Sequence, residues 1–453
     1  ESPAQARSAG DVDGHACPFS FLHLIAKKLM NTPLFHGVRG TLRALGHITL
    51  SLSSLLLACS AARADVVTDW YATASAVTAS NNPGGVFVPR SLAIVHLAIH
   101  DAVNAVDRRY EPYAVDTRAP AGTSIDAAAA GAAHGALLAL YPVQKAFLDN
   151  ALKASLAKVP DGPGKAEGAE FGRGIGEKLV ALRKDDGSAT EIAYTPLGTA
   201  GAWKPTPPAP GALSIARWPK VKAVFLTSGD QFKAPPPLDT QSEAYAREIN
   251  EVKRLGGVNS SERTADQTAL AIFWVAPTWH PYLEVVKQEA ERKKFSVHEN
   301  ARLYALINGI SLDTYIVGYG VKLVYNQQRP ITAIREAASL GNPGIQAAPD
   351  WLPLLQTPQH PDYVSGHAIQ AGGYERVLQK IFGSDQLSAP SASVWPAGTV
   401  RRVYTRWSQL TREDNDARIF GGIHTRSATN GGDALGYQIG EYVVANALRP
   451  VAR

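Results

Sequence analysis

His360-Pro361-Asp362-Tyr363-Val364-Ser365-Gly366-His367-Ala368 leads into a mostly apolar run, Ala368 to Ile381, that reads as a helix. Ser365 and Gly366 then fall at the helix N-terminus, where unpaired backbone N–H groups and the dipole attract an anion. His367 would stand over that anion as a proton donor or acceptor. Alone, Ser-Gly-His is also what a capped turn looks like, so two other stretches decide its meaning.

Upstream, Lys322 and Arg329 stand seven residues apart and Pro330 follows. Seven residues at 3.6 per turn return to nearly one helix face, about 10 Å along the axis, so two long cations can converge on one anion. Pro330 would stop or bend that helix. Ile316, Val317, Leu323 and Val324 argue that one of its faces is buried rather than solvated. Downstream, Arg418 and His424 are separated by Ile419-Phe420-Gly421-Gly422-Ile423. The glycines let the backbone turn closely around a ligand. Arg418 brings a fork that fits an oxyanion, and His424 a nitrogen that can attack or coordinate.

Taken together, these stretches resemble the site of vanadium-dependent haloperoxidases and of the type 2 phosphatidic acid phosphatase superfamily. The shared pattern is Lys, six residues, Arg-Pro; then Ser-Gly-His; then Arg, five residues, His. The flanks Ile331 to Arg335, Trp351 to Leu355 and Arg90 to Asn104 look like bacterial haloperoxidase-type members. The resemblance implies that Lys322, Arg329 and Arg418 neutralise the oxygens of a bound oxyanion, with Ser365 and the Gly366 amide donating further hydrogen bonds. It implies that His424 binds the vanadium of a vanadate cofactor, or attacks phosphorus in a phosphatase, and that His367 is the acid–base residue. Both uses share one physics, since five-coordinate vanadate mimics the transition state of phosphoryl transfer.

His360 lies seven residues before His367, where bromide- or iodide-using members tend to carry histidine and the fungal chloride-using enzyme carries phenylalanine. The resemblance therefore favours bromide or iodide over chloride; a purely loop-shaping role for His360 is the competing reading. This chain departs from the pattern twice. Val364 replaces the usual proline before Ser-Gly-His, and Ala428 replaces the usual carboxylate four residues after the last histidine. Asp433 is the candidate to orient His424 instead.

The rest of the chain reads as helices. Pro89 to Val106 has apolar residues at helical spacing, with His96 and His100 four apart and Asp101 next. A zinc-protease pair would need glutamate where Leu97 stands, so a core histidine bonded to a carboxylate is expected. Ser124 to Lys158 reads as two packed helices, and Ala166 to Lys184 as another. Tyr194 to Asp239 is too rich in proline for a helix, yet Trp203, Trp218, Val224 and Phe225 suggest that it packs onto the surface. Helices resume at Gln241 to Leu255, Thr264 to Trp274 and Val297 to about Gln328, with Trp279, His280 and Tyr282 in an aromatic loop. The expected fold class is all-α, built of helical bundles with the catalytic site in the C-terminal one. The expected organisation is an N-terminal helical half at 65–194, an irregular connection at 195–239 and a catalytic bundle at 240–453.

The first 64 residues look like a leader. Arg39 and Arg43 precede an apolar run from Ala44 to Ala58, and Ala62-Arg63-Ala64 offers a small-residue cleavage site. Met30 is the only methionine and the expected start, with residues 1–29 upstream of it. Cys59 in Leu57-Ala58-Cys59 weakly resembles a lipoprotein site, a minor alternative to a periplasmic or secreted protein. Both cysteines, Cys17 and Cys59, fall in this segment, so the body holds neither disulfide nor thiolate metal site. A net charge of +5 favours anionic partners, but no Lys/Arg block points to nucleic acid, and no multi-span hydrophobic pattern points to a membrane enzyme. No pattern specifies an oligomeric state.

Three functions are compatible with this reading. A vanadate-dependent haloperoxidase would use hydrogen peroxide to oxidise halide, an acid phosphatase would cleave a phosphate ester through a phosphohistidine at His424, and an oxyanion-binding protein would turn nothing over.

Overall fold

A 29-residue helix, Val297–Tyr325, is the axis of the fold. Its start is a capping box: Ser296 Oγ accepts from the Glu299 amide while the Glu299 carboxylate accepts from the Ser296 amide at 2.8 Å. Apolar residues surround it on all sides, as expected of a helix inside a bundle rather than on its surface. Asn326 ends it in the left-handed conformation, with φ 48°. The computed structural model describes residues 65–81, 85–207, 213, 215–393 and 400–451. The leader reading, including Met30, Cys59 and the cleavage after Ala64, lies outside the described residues.

Before the axial helix come α1 (Val66–Asn81), α2 (Phe87–Val106), α3 (Ile125–Leu140), α4 (Lys145–Leu156), α5 (Pro163–Leu182), α6 (Glu243–Leu255), α7 (Ala265–Phe273) and α8 (Trp279–Arg292). The axial helix is α9, followed by α10 (Pro330–Arg335), α11 (Ala337–Leu340), α12 (Gly366–Phe382), α13 (Trp407–Phe420) and α14 (Arg426–Asn446). The expected all-α class holds, with one small addition: β1 (Ser391–Ser393) and β2 (Arg401–Val403) form an antiparallel ladder. Among the described residues, no helix is long and apolar enough to cross a membrane.

Two helix pairs approach so closely that only glycine fits between them. A methyl at Gly172 on α5 would lie 2.0 Å from the Ala128 carbonyl oxygen of α3, and one at Gly436 on α14 would lie 1.9 Å from that of Ile369 on α12. The α12–α14 pair is the one that builds the site, and both helices lean on α9.

Buried carboxylates pin the irregular segments. Asp313 of α9 accepts from the amides of Val224 and Phe225 at 2.6 and 2.7 Å, and Asp101 of α2 from those of Tyr113, Ala114 and Val115 at 2.6, 3.0 and 2.8 Å. Trp203 and Trp218 are buried, and the Trp203 amide donates to the Asn326 carbonyl at 2.7 Å. The proline-rich stretch therefore packs as its tryptophans suggested.

Three local expectations are corrected. Lys322 and Arg329 do not share a helix face: α9 stops at Tyr325, and Arg329 lies beyond the turn at Asn326, just before α10. Trp279, His280 and Tyr282 start helix α8 instead of forming a loop, because Pro281 sits in a first turn that needs no N–H there. Neither His96 nor His100 bonds a carboxylate. His100 Nε2 meets the Glu111 carbonyl at 3.0 Å, while His96 packs against the rings of Tyr71 and Tyr304, which also touch each other. Among the described residues, no cluster of three or more His, Cys, Asp or Glu side chains could hold a metal ion.

Candidate active site

Five helix ends converge on one buried cluster of charge. Lys322 comes from the last turn of α9, and Arg329 is the N-cap residue of α10, where Pro330 occupies the first position. Ser365 caps α12, Gly366 is the first residue of that helix and His367 the second. Arg418 lies in the last turn of α13, after which Gly422, with φ 78°, turns the chain so that His424 arrives immediately before α14.

Lys322, Arg329, Ser365, Arg418 and His424 are each at most 2% exposed. Lys322 Nζ donates to the carbonyls of Pro361 and Asp362 at 2.6 and 2.9 Å, so it clamps the stretch that precedes Ser365. Arg329 bridges the histidines: Nε donates to the His360 carbonyl at 2.6 Å, Nη2 to His360 Nδ1 at 2.9 Å, and Nη1 lies 3.0 Å from His424 Nε2. Arg418 donates to the Trp274 carbonyl and stands 3.6 Å from Asp414 on its own helix. Ser365 Oγ accepts from the Ala368 amide at 3.4 Å, and its own amide donates to the Ala428 carbonyl at 2.8 Å, tying α12 to α14. His367 Nε2 lies 3.4 Å from the Ala276 carbonyl, and the His360 ring packs 5.6 Å from that of Tyr319.

The electrostatics follow from crowding cations into a dry space. Burial, then the Arg329 charge, pushes the Lys322 ammonium well below the usual lysine value. Burial brings Arg329 down to about 10 and also lowers Arg418. His367 falls well below the usual histidine value through burial and then Arg418, and His424 through burial and then Arg329, Lys322 and Arg418. His360 does the same through burial, then Lys322 and Arg329. The mutual influence of these groups places all of them in one neighbourhood. An anion among them would relieve the repulsion and restore the charged forms.

Sequence reasoning missed two carboxylates and misplaced one. Asp362 Oδ1 lies 2.6 Å from His424 Nδ1, whereas Asp433, the candidate orienter, bonds Asn415 instead. Asp433 sits two helical turns into α14, behind Gly372, and so cannot be the partner of His424. Asp414, the neighbour of Arg418, accepts from Thr278 at 3.1 Å, and burial lifts its carboxyl to about 7. Asp362 could have been noticed, since it stands three residues before Ser365; Asp414 could have been noticed as the i–4 neighbour of Arg418.

This donor set fits an oxyanion such as vanadate. Two guanidinium groups and an ammonium would neutralise its oxygens, the start of α12 would supply a hydroxyl and unpaired amides, and one imidazole nitrogen would meet the central atom.

Residues 302–453 match the family model of the VCPO second helical-bundle domain. Among solved structures, the chain is similar to the first bacterial vanadium-dependent iodoperoxidase, at 21% identity and a TM-score of 0.73 over 86% of this chain and 99% of that one. It is also similar to a bacterial vanadium-dependent chloroperoxidase in its apo and holo forms, at 19% and 18% identity and a TM-score of 0.65. These cover 79% of this chain and 92% and 90% of theirs. At such identities the likeness shows the fold. Comparison with curated protein sequences yields no match.

Proposed function

We infer, from the membership of residues 302–453 in the family of the VCPO second helical-bundle domain, that this chain is a vanadate-dependent haloperoxidase. It would oxidise halide with hydrogen peroxide, consuming a proton and releasing hypohalous acid and water. The observation that carries the reading is Arg329, wholly buried and shared between His360 and His424. A buried guanidinium joining two imidazoles, with Lys322 and Arg418 alongside, is suited to a multiply charged oxyanion.

Each residue has a task in this reading. Lys322, Arg329 and Arg418 hold the oxyanion's oxygens by charge-assisted hydrogen bonds, and Ser365 and the Gly366 amide complete the cradle. His424 offers Nε2 to vanadium. His367, in the first turn of α12, holds or delivers a proton at Nε2. Vanadate, when bound, supplies a Lewis acid that activates peroxide for two-electron transfer without changing its own oxidation state. His360 lies against the same arginine, which supports bromide or iodide in preference to chloride. The charged, apolar and small-residue order of residues 39–64 supports export to the periplasm or medium, which N-terminal sequencing of the mature chain would test.

Purified protein incubated with vanadate, hydrogen peroxide and bromide or iodide tests the activity. Halogenation that requires vanadate and is suppressed by phosphate is the expected outcome. Release of phosphate from a phosphomonoester, inhibited by vanadate, would make the chain a phosphatase instead. Oxyanion binding with neither turnover would leave a binding protein.

A further inference from the structure

Asp362 is wholly buried, and its two oxygens face different donors. Oδ1 lies 2.6 Å from His424 Nδ1, while Oδ2 accepts from the Thr425 hydroxyl at 2.7 Å and the Thr425 amide at 3.3 Å. Its own carbonyl accepts from Lys322 at 2.9 Å, which fixes the backbone beneath the side chain. Arg329 Nη1 is 3.0 Å from Nε2 and 3.3 Å from Nδ1, so it lies over the Cε1 side of the His424 ring and not at one edge. A carboxylate accepts, so the 2.6 Å contact to Asp362 places the ring proton on Nδ1 and leaves Nε2 bare.

We propose that Asp362 is the positioning residue of His424, holding its imidazole in the Nδ1–H form so that Nε2 presents its electron pair to the central atom of the oxyanion. The resembled family places a carboxylate four residues after this histidine; here the task passes to a different segment, three residues before Ser365. Ala428 shows why it can. Its side chain is wholly buried, and its carbonyl takes the Ser365 amide at 2.8 Å, so the segment carrying Asp362 is drawn against the start of α14. One stretch, 362–367, thus carries the His424 orienter, the cap of the anion-binding helix and the acid–base histidine. The same logic holds catalytic imidazoles in Ser-His-Asp enzymes, where the aspartate fixes the tautomer without taking the proton.

The purpose assigned to Asp362 rests on the oxyanion reading of the site, but the tautomer can be observed without turnover. The full chain is labelled with 15N-histidine, and long-range 1H–15N spectra are recorded, with His424 assigned by its loss in His424→Gln. The expected wild-type pattern is a protonated Nδ1 and a bare Nε2. In Asp362→Asn, the two Thr425 donors claim the amide oxygen and leave the amide N–H groups facing Nδ1. His424 should then invert to the Nε2–H form, and orthovanadate affinity should fall about 10- to 100-fold. A merely structural role would weaken binding without inverting the tautomer. A wild-type Nε2–H pattern, or one tautomer shared by both proteins, overturns the proposal. The wild-type spectrum alone decides if the variant does not fold. Failure of the wild type to bind orthovanadate at all would instead sink the oxyanion reading, and with it the purpose of Asp362, whatever the tautomer.

Discussion

Gly436→Ala tests the packing on which the site depends. Helix α12 begins just after Ser365 and α14 just after His424, so their separation sets the distance between the two halves of the cradle. A methyl at position 436 would meet the Ile369 carbonyl oxygen at 1.9 Å and the Gly373 nitrogen at 2.8 Å. Ordinary contact begins at 3.4 Å, so the helices must part by about 1.5 Å. Two effects oppose each other. Alanine inside a helix favours folding by about 0.5–1 kcal/mol over glycine. Overpacking against a backbone that cannot rotate away costs about 1–3 kcal/mol, and contacts along the parted helices are lost as well. The second effect wins, for a net loss of about 1–2 kcal/mol. A shift of about 1 Å at reacting groups also costs on the order of 100-fold in turnover. Gly174→Ala is the control, because nothing lies within 4 Å of a methyl there. Urea unfolding of both variants gives the stabilities, and orthovanadate titration gives the effect at the site. Gly436→Ala as stable as the wild type, or shifts of one sign in both variants, would refute the packing argument.

Other substitutions separate the roles within the site. His424→Ala should abolish vanadate retention, whereas His367→Ala should cut halide turnover far more than vanadate affinity; equal losses of both in His367→Ala would count against its acid–base role. Arg329→Lys keeps a charge but loses the fork shared by His360 and His424, so oxyanion affinity should fall about 10- to 100-fold by titration. Burial, then Glu375, lifts the Asp433 carboxyl from an ordinary 3.8 to about 7. A folded value above the unfolded one means that its stabilisation is complete below pH 4 and is lost as pH rises through 7. Asp433→Asn should flatten that decline and add on the order of 1–2 kcal/mol at pH 8, read from urea midpoints at pH 5 and pH 8.

Helical spacing made the helical segments legible because their burial pattern is local. Ser296 and Glu299 even mark the start of α9 as a capping box. The errors arose where the outcome depended on one residue's conformation or on a distant partner. Asn326 adopts a left-handed turn, so Lys322 and Arg329 converge across a break and not along one face. Both side chains still reach the same stretch, where they bond the carbonyls of residues 360–362. The strands at 391–393 and 401–403 are too short for alternation to register. Asp362 escaped notice because its partner His424 lies 62 residues away, so its place three residues before Ser365 does not by itself identify the contact. The order Lys, Arg, Ser-Gly-His, Arg, His was legible because its members are cations and imidazoles at fixed spacings, a type-and-spacing signal that needs no knowledge of distant contacts.

The central claim is that Lys322, Arg329, Arg418 and His424 share one vanadate. Titrating the purified protein with orthovanadate, and following bromide or iodide oxidation by hydrogen peroxide in the same samples, tests it most directly. Binding of one vanadate per chain, competed by phosphate, with turnover rising in step and both lost in His424→Ala, is the expected result. Vanadate binding that survives His424→Ala undiminished, or turnover that does not depend on vanadate, would contradict it.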